Sequence, residues 1–302
     1  MILSFGSVNL DLIATVERLP RAGETVLGPG YRALPGGKGA NQALAARRAG
    51  AEVQFVGCVG RDAFAEPALA ELAAAGVGLD HLVRHEAAPT GCALICVDPR
   101  GENQIAVALG ANAELKAAHV PDALLVPGTL LLLQREVAAG ESWALARRAA
   151  GRGAKVLLNL APAGEVPADV LRTLDWLILN EGEAAELARA QGVVADAAAL
   201  AKALGIGVVT TLGADGIAAC RGAEHWRVPA LPVTPVDTTG AGDAAVGAFS
   251  AALDCGLRAA EALRWASVAG ALACITPGAQ SSLPALRQIQ DALSRLPAAG
   301  AT

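Results

Sequence analysis

Short runs of apolar residues alternate with longer alanine-rich stretches along most of the chain. The short runs are apolar at nearly every position, which is typical of strands in a parallel sheet that is buried on both faces. They predict strands at 2–7, 53–59, 129–133, 155–159, 176–179 and 207–211. The alanine-rich stretches favour helices, which we expect at 38–49, 63–75, 141–152, 181–190, 196–204, 241–254, 259–274 and 284–295. This alternation predicts an α/β fold with helices on both faces of a mostly parallel sheet.

Two segments, 9–35 and 90–109, break this alternation because they carry apolar residues with Pro and Gly turns and no helical pattern. Both predict extended, hairpin-like structure, and "DPRGEN" at 98–103 is typical of a hairpin turn. Strands without helices of their own predict a small sheet standing off the core, either as a lid over a substrate site or as an oligomer interface. We therefore expect a single domain over 1–302, with lid strands from about 11–35 and 90–109 inserted in the α/β core.

The composition narrows the classes of partner. The 302 residues are 53% hydrophobic and 18% charged, which is typical of a globular protein and not of a disordered one. The net charge of −5 argues against nucleic acid or an anionic membrane as the main partner. No apolar run is long enough to span a bilayer, and the first residues lack a basic secretion signal, so we expect a cytoplasmic protein.

The glycine-rich segments lack two common nucleotide-binding motifs. "GGKGAN" at 36–41 has Gly39 directly after its lysine, so the Walker phosphate loop is absent. The dinucleotide pattern GxGxxG also fails, because "GAGDAAVG" at 240–247 has Ala245 where the third glycine belongs. The sequence therefore gives little support to a function as a nicotinamide-dependent oxidoreductase.

The stretch "DTTGAGDAAVGAF" at 237–249 places Asp243 in the first turn of a predicted apolar helix. The unpaired N–H groups around Gly240, Ala241 and Gly242 form an anion pocket suited to a phosphate. One interpretation is that Asp243 only complements the helix dipole. However, Asp237 already supplies an acid before the turn, and the glycines cost backbone entropy that a cap does not require. A carboxylate beside an anion pocket suits phosphoryl transfer to an alcohol, with Asp243 as the base.

Two further motifs have both a structural and a functional interpretation. Asn180 and Glu183 have the spacing of a helix capping box. They also follow a strand at the sheet edge where α/β folds bind ligands, and there they would orient water around Mg²⁺ on nucleotide phosphates. "GGKGANQALAARRAG" at 36–50 is either a flexible connection with a solvated Lys38, or a loop whose backbone and Asn41 bind a polyhydroxyl ligand.

Six motifs occur together in one order: "GSVNLD", "GGKGANQA", "GENQIAVALGAN", "LNEGEAAE", "TLGADG" and "VDTTGAGDAAVGAF". Through them the chain, from Ser4 to about Ser282, resembles the ribokinase family of carbohydrate kinases. "GGKGANQA" is the specific part, since relatives acting on other sugars or nucleosides often differ there. The resemblance implies a three-layer αβα core with a small β-sheet lid and a homodimer formed through that lid. It also implies transfer of the ATP γ-phosphate to the 5-hydroxyl of D-ribose.

The resemblance also implies roles for single residues. Asp243 would be the base, with Gly240, Ala241 and Gly242 as the anion hole. The implied sugar-binding residues are Asn9, Asp11, Gly37, Lys38, Gly39, Ala40, Asn41, Glu136 and Asp243. The implied residues for the Mg²⁺-bound nucleotide are Asn180, Glu183, Thr211, Leu212, Gly213, Ala214, Asp215, Gly216, Gly242 and Ser267. The implied ligands of an activating K⁺ ion are Asp237, Thr239, Ala273, Thr276, Gly278 and Ser282.

Two positions depart from the family pattern, and two other functions stay open. Ser267 stands where many relatives carry an asparagine near the adenine, and Thr276-Pro277 stand where basic residues are frequent.

Within the family, the acceptor could be fructose, deoxyribose or a nucleoside. Few aromatic residues are present, so a stacking pocket for a nucleobase acceptor is poorly supported. The alternative to an enzyme is a sugar-binding protein without catalytic activity, which would not require an intact Asp243.

Overall fold

A nine-stranded sheet forms the centre of the computed structural model, which describes residues 1–296, 300 and 301. The strands are β1 (Ile2–Phe5), β2 (Asn9–Thr15), β3 (Tyr31–Gly36), β4 (Val53–Val56), β5 (Cys58–Val59), β6 (Val83–Arg84), β7 (Gly91–Val97), β8 (Asn103–Ala108), β9 (Leu130–Leu133), β10 (Lys155–Asn159), β11 (Trp176–Asn180), β12 (Gly207–Thr211), β13 (Ile217–Arg221), β14 (Glu224–Val228) and β15 (Gly300–Ala301). The order in the central sheet is β15-β14-β13-β12-β11-β10-β9-β1-β4. Neighbouring strands are parallel from β4 to β12, and β13 to β15 continue the sheet with antiparallel pairs.

Helices cover both faces of this sheet. They are α1 (Lys38–Arg48), α2 (Ala65–Ala74), α3 (Ala139–Gly151), α4 (Ala168–Leu171), α5 (Glu181–Gln191), α6 (Ala197–Leu204), α7 (Ala241–Asp254), α8 (Ala259–Ala273) and α9 (Leu286–Leu293). Alternate strand residues face opposite layers: Leu130 and Leu132 pack with α1, α2, α7, α8 and α9, whereas Leu131 and Leu133 pack with α3 to α6. The three-layer prediction is thereby confirmed. Within the described residues, no helix combines the length and apolar character needed to cross a bilayer.

Helices α1 and α7 touch at a glycine. A Cβ placed on Gly247 would lie 2.4 Å from the Cβ of Ala45 and 2.8 Å from the carbonyl oxygen of Gln42. Only glycine therefore permits this approach of the two helices. Because Gly247 lies one turn after Asp243, the contact also brings the Asp243 side chain against the start of α1.

The four strands β2, β3, β7 and β8 form a separate small sheet in the order β3-β2-β7-β8. The β2–β3 and β7–β8 pairs are antiparallel, while β2 and β7 run parallel. The turn at 98–102 is closed by hydrogen bonds from the Asp98 N–H to the Glu102 carbonyl and from the Gly101 N–H to the Asp98 carbonyl, each 3.0 Å. The separate small sheet is confirmed, and its use as a lid stays a prediction.

The structure corrects several predicted elements. The strand predicted at 2–7 ends at Phe5. The strand predicted at 53–59 is broken at Gly57, after which β5 pairs with β6 in a two-stranded sheet of its own. The hairpin of β13 and β14 was not predicted. Its sequence signal was a glycine between two short runs, at Gly222, whose φ of 60° turns the chain.

Candidate active site

The first turn of α7 carries the aspartate that the sequence singles out. Gly240 precedes the helix with a φ of 78°, in the left-handed region where other residues are strained. Among the described residues, the N–H groups of Gly240, Gly242 and Asp243 have no acceptor, whereas the N–H of Ala241, which the predicted anion hole includes, donates to the Thr238 carbonyl over 3.2 Å. Asp243 itself is 7% exposed. A buried carboxylate therefore lies beside unpartnered N–H donors at the positive end of a helix dipole.

Two amides from the start of α1 hold the Asp243 carboxylate. Asn41 Nδ2 donates to Oδ2 over 2.9 Å, and Gln42 Nε2 donates to Oδ1 over 2.8 Å. Both amide side chains are buried. Each carboxylate oxygen has a further lone pair, so Asp243 keeps the capacity to accept from a substrate hydroxyl.

The glycines of "GGKG" allow α1 to begin directly against the β1–β2 turn. Gly37 has a φ of 89°, and a Cβ there would lie 2.8 Å from the Cα of Val8. A Cβ on Gly39 would lie 2.5 Å from the backbone nitrogen of Ser7. Backbone thus packs on backbone, which places the polar residues of early α1 beside those of early β2.

Strand β2 contributes Asn9 and Asp11, which point to the same face because they are two residues apart. Asn9 is buried, and its Oδ1 accepts from Asn112 Nδ2 over 2.7 Å. Asp11 Oδ1 is buried without a hydrogen-bond partner. Burial, together with the negative charges of Glu136 and Asp243, raises the pKa of Asp11 to about 6. Asp11 is therefore an unsatisfied acceptor in an acidic site.

Replacing Asp11 with asparagine is expected to stabilise the free protein more near pH 7.5 than near pH 4.5. The pKa of Asp11 rises on folding from 3.8 to about 6, so its contribution to the free energy of unfolding falls as the pH rises through that window. Removing the charge recovers the whole loss above the window and only part of it at pH 4.5, which lies within the window. Thermal melts of both proteins at the two pH values measure the effect. An equal change in Tm at both values would contradict it.

Glu136, just after β9, connects the β1–β2 turn to α1. Its Oε2 accepts from Ser7 Oγ over 2.7 Å and from the Lys38 backbone N–H over 2.9 Å. These contacts fix the carboxylate at the carboxyl edge of the central strands, where open α/β sheets bind ligands.

Lys38 places a positive charge among three acidic groups. The charge of Asp243 is the largest influence on its pKa and raises it, burial opposes that effect, and the charges of Glu136 and Glu183 add to the rise. The side chain therefore stays protonated at physiological pH. An ammonium group in this position can balance the charge of a phosphate that approaches the α7 turn.

Asn180 and Glu183 form the capping box that their spacing allows. Asn180 Oδ1 accepts from the Glu183 N–H over 2.9 Å, and Glu183 Oε2 accepts from the Asn180 N–H over 2.8 Å. Burial raises the pKa of Glu183, although the Asn180 N–H and the Lys38 charge act in the opposite direction. The capping box uses one oxygen of each side chain, which leaves the second Glu183 oxygen for another partner.

A cavity of about 470 Å³ opens beside the first turn of α7. The predicted nucleotide residues that line it are Thr211, Gly213, Ala214, Gly216, Gly242 and Ser267, whereas Asn180, Glu183, Leu212 and Asp215 lie outside its lining. The lining residues that the sequence did not reveal are mostly apolar and come from β13, the segment 230–238, α7, α8 and the residue after α8: Ile217, Ala230, Leu231, Pro232, Val233, Pro235, Thr238, Ala245, Ala266, Gly270, Ala271 and Cys274. A largely apolar cavity of this size suits the flat base of a nucleotide.

Ser267 already has a structural partner within this cavity wall. Its Oγ donates to the carbonyl oxygen of Pro229 over 2.7 Å. The hydroxyl therefore ties α8 to the segment that follows β14.

Asp237 joins the loop before α7 to the segment after α8. Its Oδ1 accepts from the Thr239 N–H over 2.9 Å and its Oδ2 from the Gly278 N–H over 2.8 Å. Burial opposes ionisation, but hydrogen bonds from Thr239 and Gly278 outweigh it, so the pKa of Asp237 lies below its ordinary value. The other predicted potassium ligands, Ala273, Thr276 and Ser282, lie at the end of α8 or in the segment that follows it.

No cluster of three or more His, Cys, Asp or Glu side chains in the described part of the chain is arranged to hold a metal ion. Asp237 is the only carboxylate among the predicted potassium ligands, and both of its oxygens accept backbone N–H hydrogen bonds.

A model of the pfkB family of carbohydrate kinases matches residues 1–286. The chain belongs to the pfkB family. Ribokinase from Bacillus subtilis (strain 168) is 35% identical to it over 291 residues, covering 96% of this chain and 98% of the relative. A crystal structure of ribokinase from Thermotoga maritima matches with a TM-score of 0.89 at 32% identity, covering 97% of this chain and 99% of that one. The Arabidopsis thaliana ribokinase complexed with ribose and ATP matches with a TM-score of 0.85 at 30% identity, covering 97% and 98%.

Membership in the pfkB family confirms the prediction of a carbohydrate kinase from motif order and spacing. The roles of single residues stay predictions, although the structure gathers many of them around the α7 turn. Sequence reasoning assigned no role to Gln42 or Asn112, which hold Asp243 and Asn9. The signal was present, since both lie inside the quoted motifs "GGKGANQA" and "GENQIAVALGAN".

Proposed function

We propose that this pfkB family member transfers the γ-phosphoryl group of ATP to the 5-hydroxyl of D-ribose. The products are ribose 5-phosphate and ADP. The observation that carries the proposal is the buried Asp243 carboxylate beside the unpartnered N–H groups of Gly242 and Asp243. Two relatives that are ribokinases support the choice of sugar, and the Arabidopsis complex with ribose and ATP supports both substrates.

Asp243 acts as the general base. It accepts the proton of the ribose 5-hydroxyl as that oxygen bonds to the γ-phosphorus, while the bond from the γ-phosphorus to the bridging oxygen breaks and ADP leaves. The N–H groups of Gly242 and Asp243 stabilise the charge on the transferred phosphoryl oxygens. Gly240, with its left-handed backbone, turns the chain so that these donors face the reaction.

The sugar binds where early β2 meets early α1. Asp11 Oδ1 lacks a partner in the free protein, so a ribose hydroxyl that donates to it restores a hydrogen bond. Asn9 and Glu136 offer further polar groups, and Gly37 lets the backbone approach closely. The Asp11→Asn variant, which gains stability, should therefore lose ribose affinity.

ATP occupies the apolar cavity beside α7, with its γ-phosphate at the unpartnered N–H groups. Mg²⁺ would be held mainly by the phosphates and water, with Asn180 and Glu183 orienting that water. A K⁺ ion held by Asp237 and its neighbours would neutralise charge and hold the loop before Gly240. Lys38 balances the phosphate charge from the sugar side.

An ATP-consumption assay with a panel of acceptors tests this proposal. D-Ribose, 2-deoxyribose, fructose, adenosine and a pyrimidine nucleoside are compared with Mg²⁺ present, in potassium and in sodium salts. The expected result is the highest kcat/KM on ribose, with faster turnover in potassium. A preference for another acceptor would reject the sugar assignment, and sugar binding without turnover on any acceptor would reject catalysis.

The small sheet is proposed as a lid that also forms a homodimer. Its surface exposes large apolar residues: Tyr31 is 71% exposed, Leu94 54% and Ile105 56%. Tyr31, Leu94 and Ile105 also line one shallow concavity of the sheet. Contiguous exposed apolar surface of this kind is typical of a protein interface.

The Leu94→Glu variant is expected to convert the dimer to a monomer. A charge at the centre of an apolar interface has no partner when the interface closes, so it opposes association. Light scattering after size-exclusion chromatography measures the mass. Val194→Glu is the matched control, since Val194 is 70% exposed outside the small sheet and should keep the dimer. A monomeric wild-type protein would reject the interface.

A further inference from the structure

Gln42 is a fully buried amide whose hydrogen-bonding groups are all used. Its Nε2 donates to Asp243 Oδ1 and to Asn159 Oδ1, each over 2.8 Å. Its Oε1 accepts from Gln134 Nε2 over 2.9 Å. An apolar side chain would serve the packing of α1 without any of these partners, so the polar contacts define what this residue does.

The neighbours fix which end of the Gln42 amide faces Asp243. Asn159 Nδ2 donates to the Ile178 carbonyl over 3.1 Å, so Asn159 presents its oxygen to Gln42. Gln134 presents its nitrogen to the other end. A reversed Gln42 amide would set oxygen against the oxygens of Asp243 and Asn159, and nitrogen against the nitrogen of Gln134. Gln42 can therefore only donate to Asp243.

A second amide pair acts on the other carboxylate oxygen. Gln280 Nε2 donates to Asn41 Oδ1 over 3.0 Å, and Asn41 Nδ2 donates to Asp243 Oδ2 over 2.9 Å. Each oxygen of Asp243 is thus held by an amide that is itself hydrogen-bonded to a second glutamine, while the Oε1 atoms of Gln134 and Gln280 are buried without a partner. The donors are neutral, so they fix and stabilise the carboxylate without cancelling its charge, as an ion pair with Lys38 would do.

We propose that Gln42 is a positioning residue for Asp243, and that Gln134 acts on Asp243 through Gln42. This inference rests on the proposed function, in which Asp243 is the base. A base that is free to rotate takes up the hydroxyl proton less well, while ribose and ATP still bind. The loss therefore falls on kcat, and KM changes little.

The test compares Gln42→Met, Gln134→Met and the double variant. Methionine keeps the length of the side chain and removes its amide. We expect Gln42→Met to lower kcat by roughly tenfold to a hundredfold, with KM for both substrates changed by less than about threefold. Gln134→Met should lower kcat less, and in the Gln42→Met background it should lower kcat no further. The matched control is Gln54→Met in β4, whose side chain lies against Gly78, and it should leave kcat unchanged.

A Gln42→Met protein with kcat within about twofold of the wild type would overturn the positioning role. If the decrease in kcat of the double variant is the product of the two single decreases, Gln134 does not act through Gln42. If Gln42→Met does not fold, Gln134→Met decides alone, and an unchanged kcat there overturns the proposal. A wild-type protein without turnover on ribose overturns the proposed function instead, so the two failures are distinguishable.

Discussion

Replacing Asp243 with asparagine is expected to lower kcat by roughly a hundredfold to ten-thousandfold, the contribution of a well-placed general base. The asparagine has nearly the same shape but cannot accept the hydroxyl proton. Ribose binding should persist, because the sugar is held mainly by groups on β2 and near β9. A coupled assay measures kcat, and calorimetry measures the Kd for ribose.

The asparagine also changes the local hydrogen bonding, which calls for a second variant. Both oxygens of Asp243 accept from amide donors. The NH₂ group of an asparagine at this position would therefore face the NH₂ group of Asn41 or Gln42. Asp243→Ala avoids this conflict and should be equally inactive. Asp291→Asn on α9 is the control for a lost carboxylate, because Asp291 is exposed. Near-normal kcat in both Asp243 variants would mean that Asp243 is not the base.

Replacing Gly39 with alanine is expected to cost roughly 1–3 kcal/mol of folding free energy and to abolish most ribose affinity. The new Cβ would lie 2.5 Å from the nitrogen of Ser7 and 2.7 Å from the Cα of Gly6, both backbone atoms that cannot rotate away. Helix α1 must therefore move off the β1–β2 turn, and Lys38 and Asn41 move with it. Chemical denaturation and ribose calorimetry measure the two losses.

Gly140→Ala is the matched control for this variant. Gly140 is also the second residue of its helix, α3, and a Cβ there would meet no atom within 4 Å. Alanine at such a position should stabilise the protein by about 0.4–1 kcal/mol, since it only restricts the unfolded chain. Equal effects of the two substitutions would show that the close contact at Gly39 does not determine the site.

The layers of the fold could be predicted because each strand and helix carries its own local pattern. The four consecutive leucines of β9, for example, indicate a strand buried on both faces wherever it lies in the sheet. The prediction of one strand over 53–59 was wrong at Gly57, because the last residues of that segment pair with β6. Apolar periodicity does not encode this contact.

The chemistry of the site could be predicted in part. The glycines and Asp243 lie within one motif, so their local arrangement followed from helix geometry. The hydrogen bonds from Asn41 and Gln42 to Asp243 join residues about two hundred positions apart. They depend on the glycine contact between α1 and α7. No local pattern contains that contact. The apolar walls of the cavity beside α7 were missed for the same reason, since they come from separate segments.

The proposed reaction moves a phosphoryl group from ATP to the 5-hydroxyl of ribose. Phosphorus NMR of a reaction with D-ribose, ATP, Mg²⁺ and K⁺ tests it directly, because it shows where the phosphate goes. We expect ribose 5-phosphate and ADP in equal amounts, and far less ribose 5-phosphate in the same time when Asp243→Asn replaces the wild type. ATP hydrolysed to ADP and free phosphate without a sugar phosphate, or phosphate on another ribose hydroxyl, would contradict it.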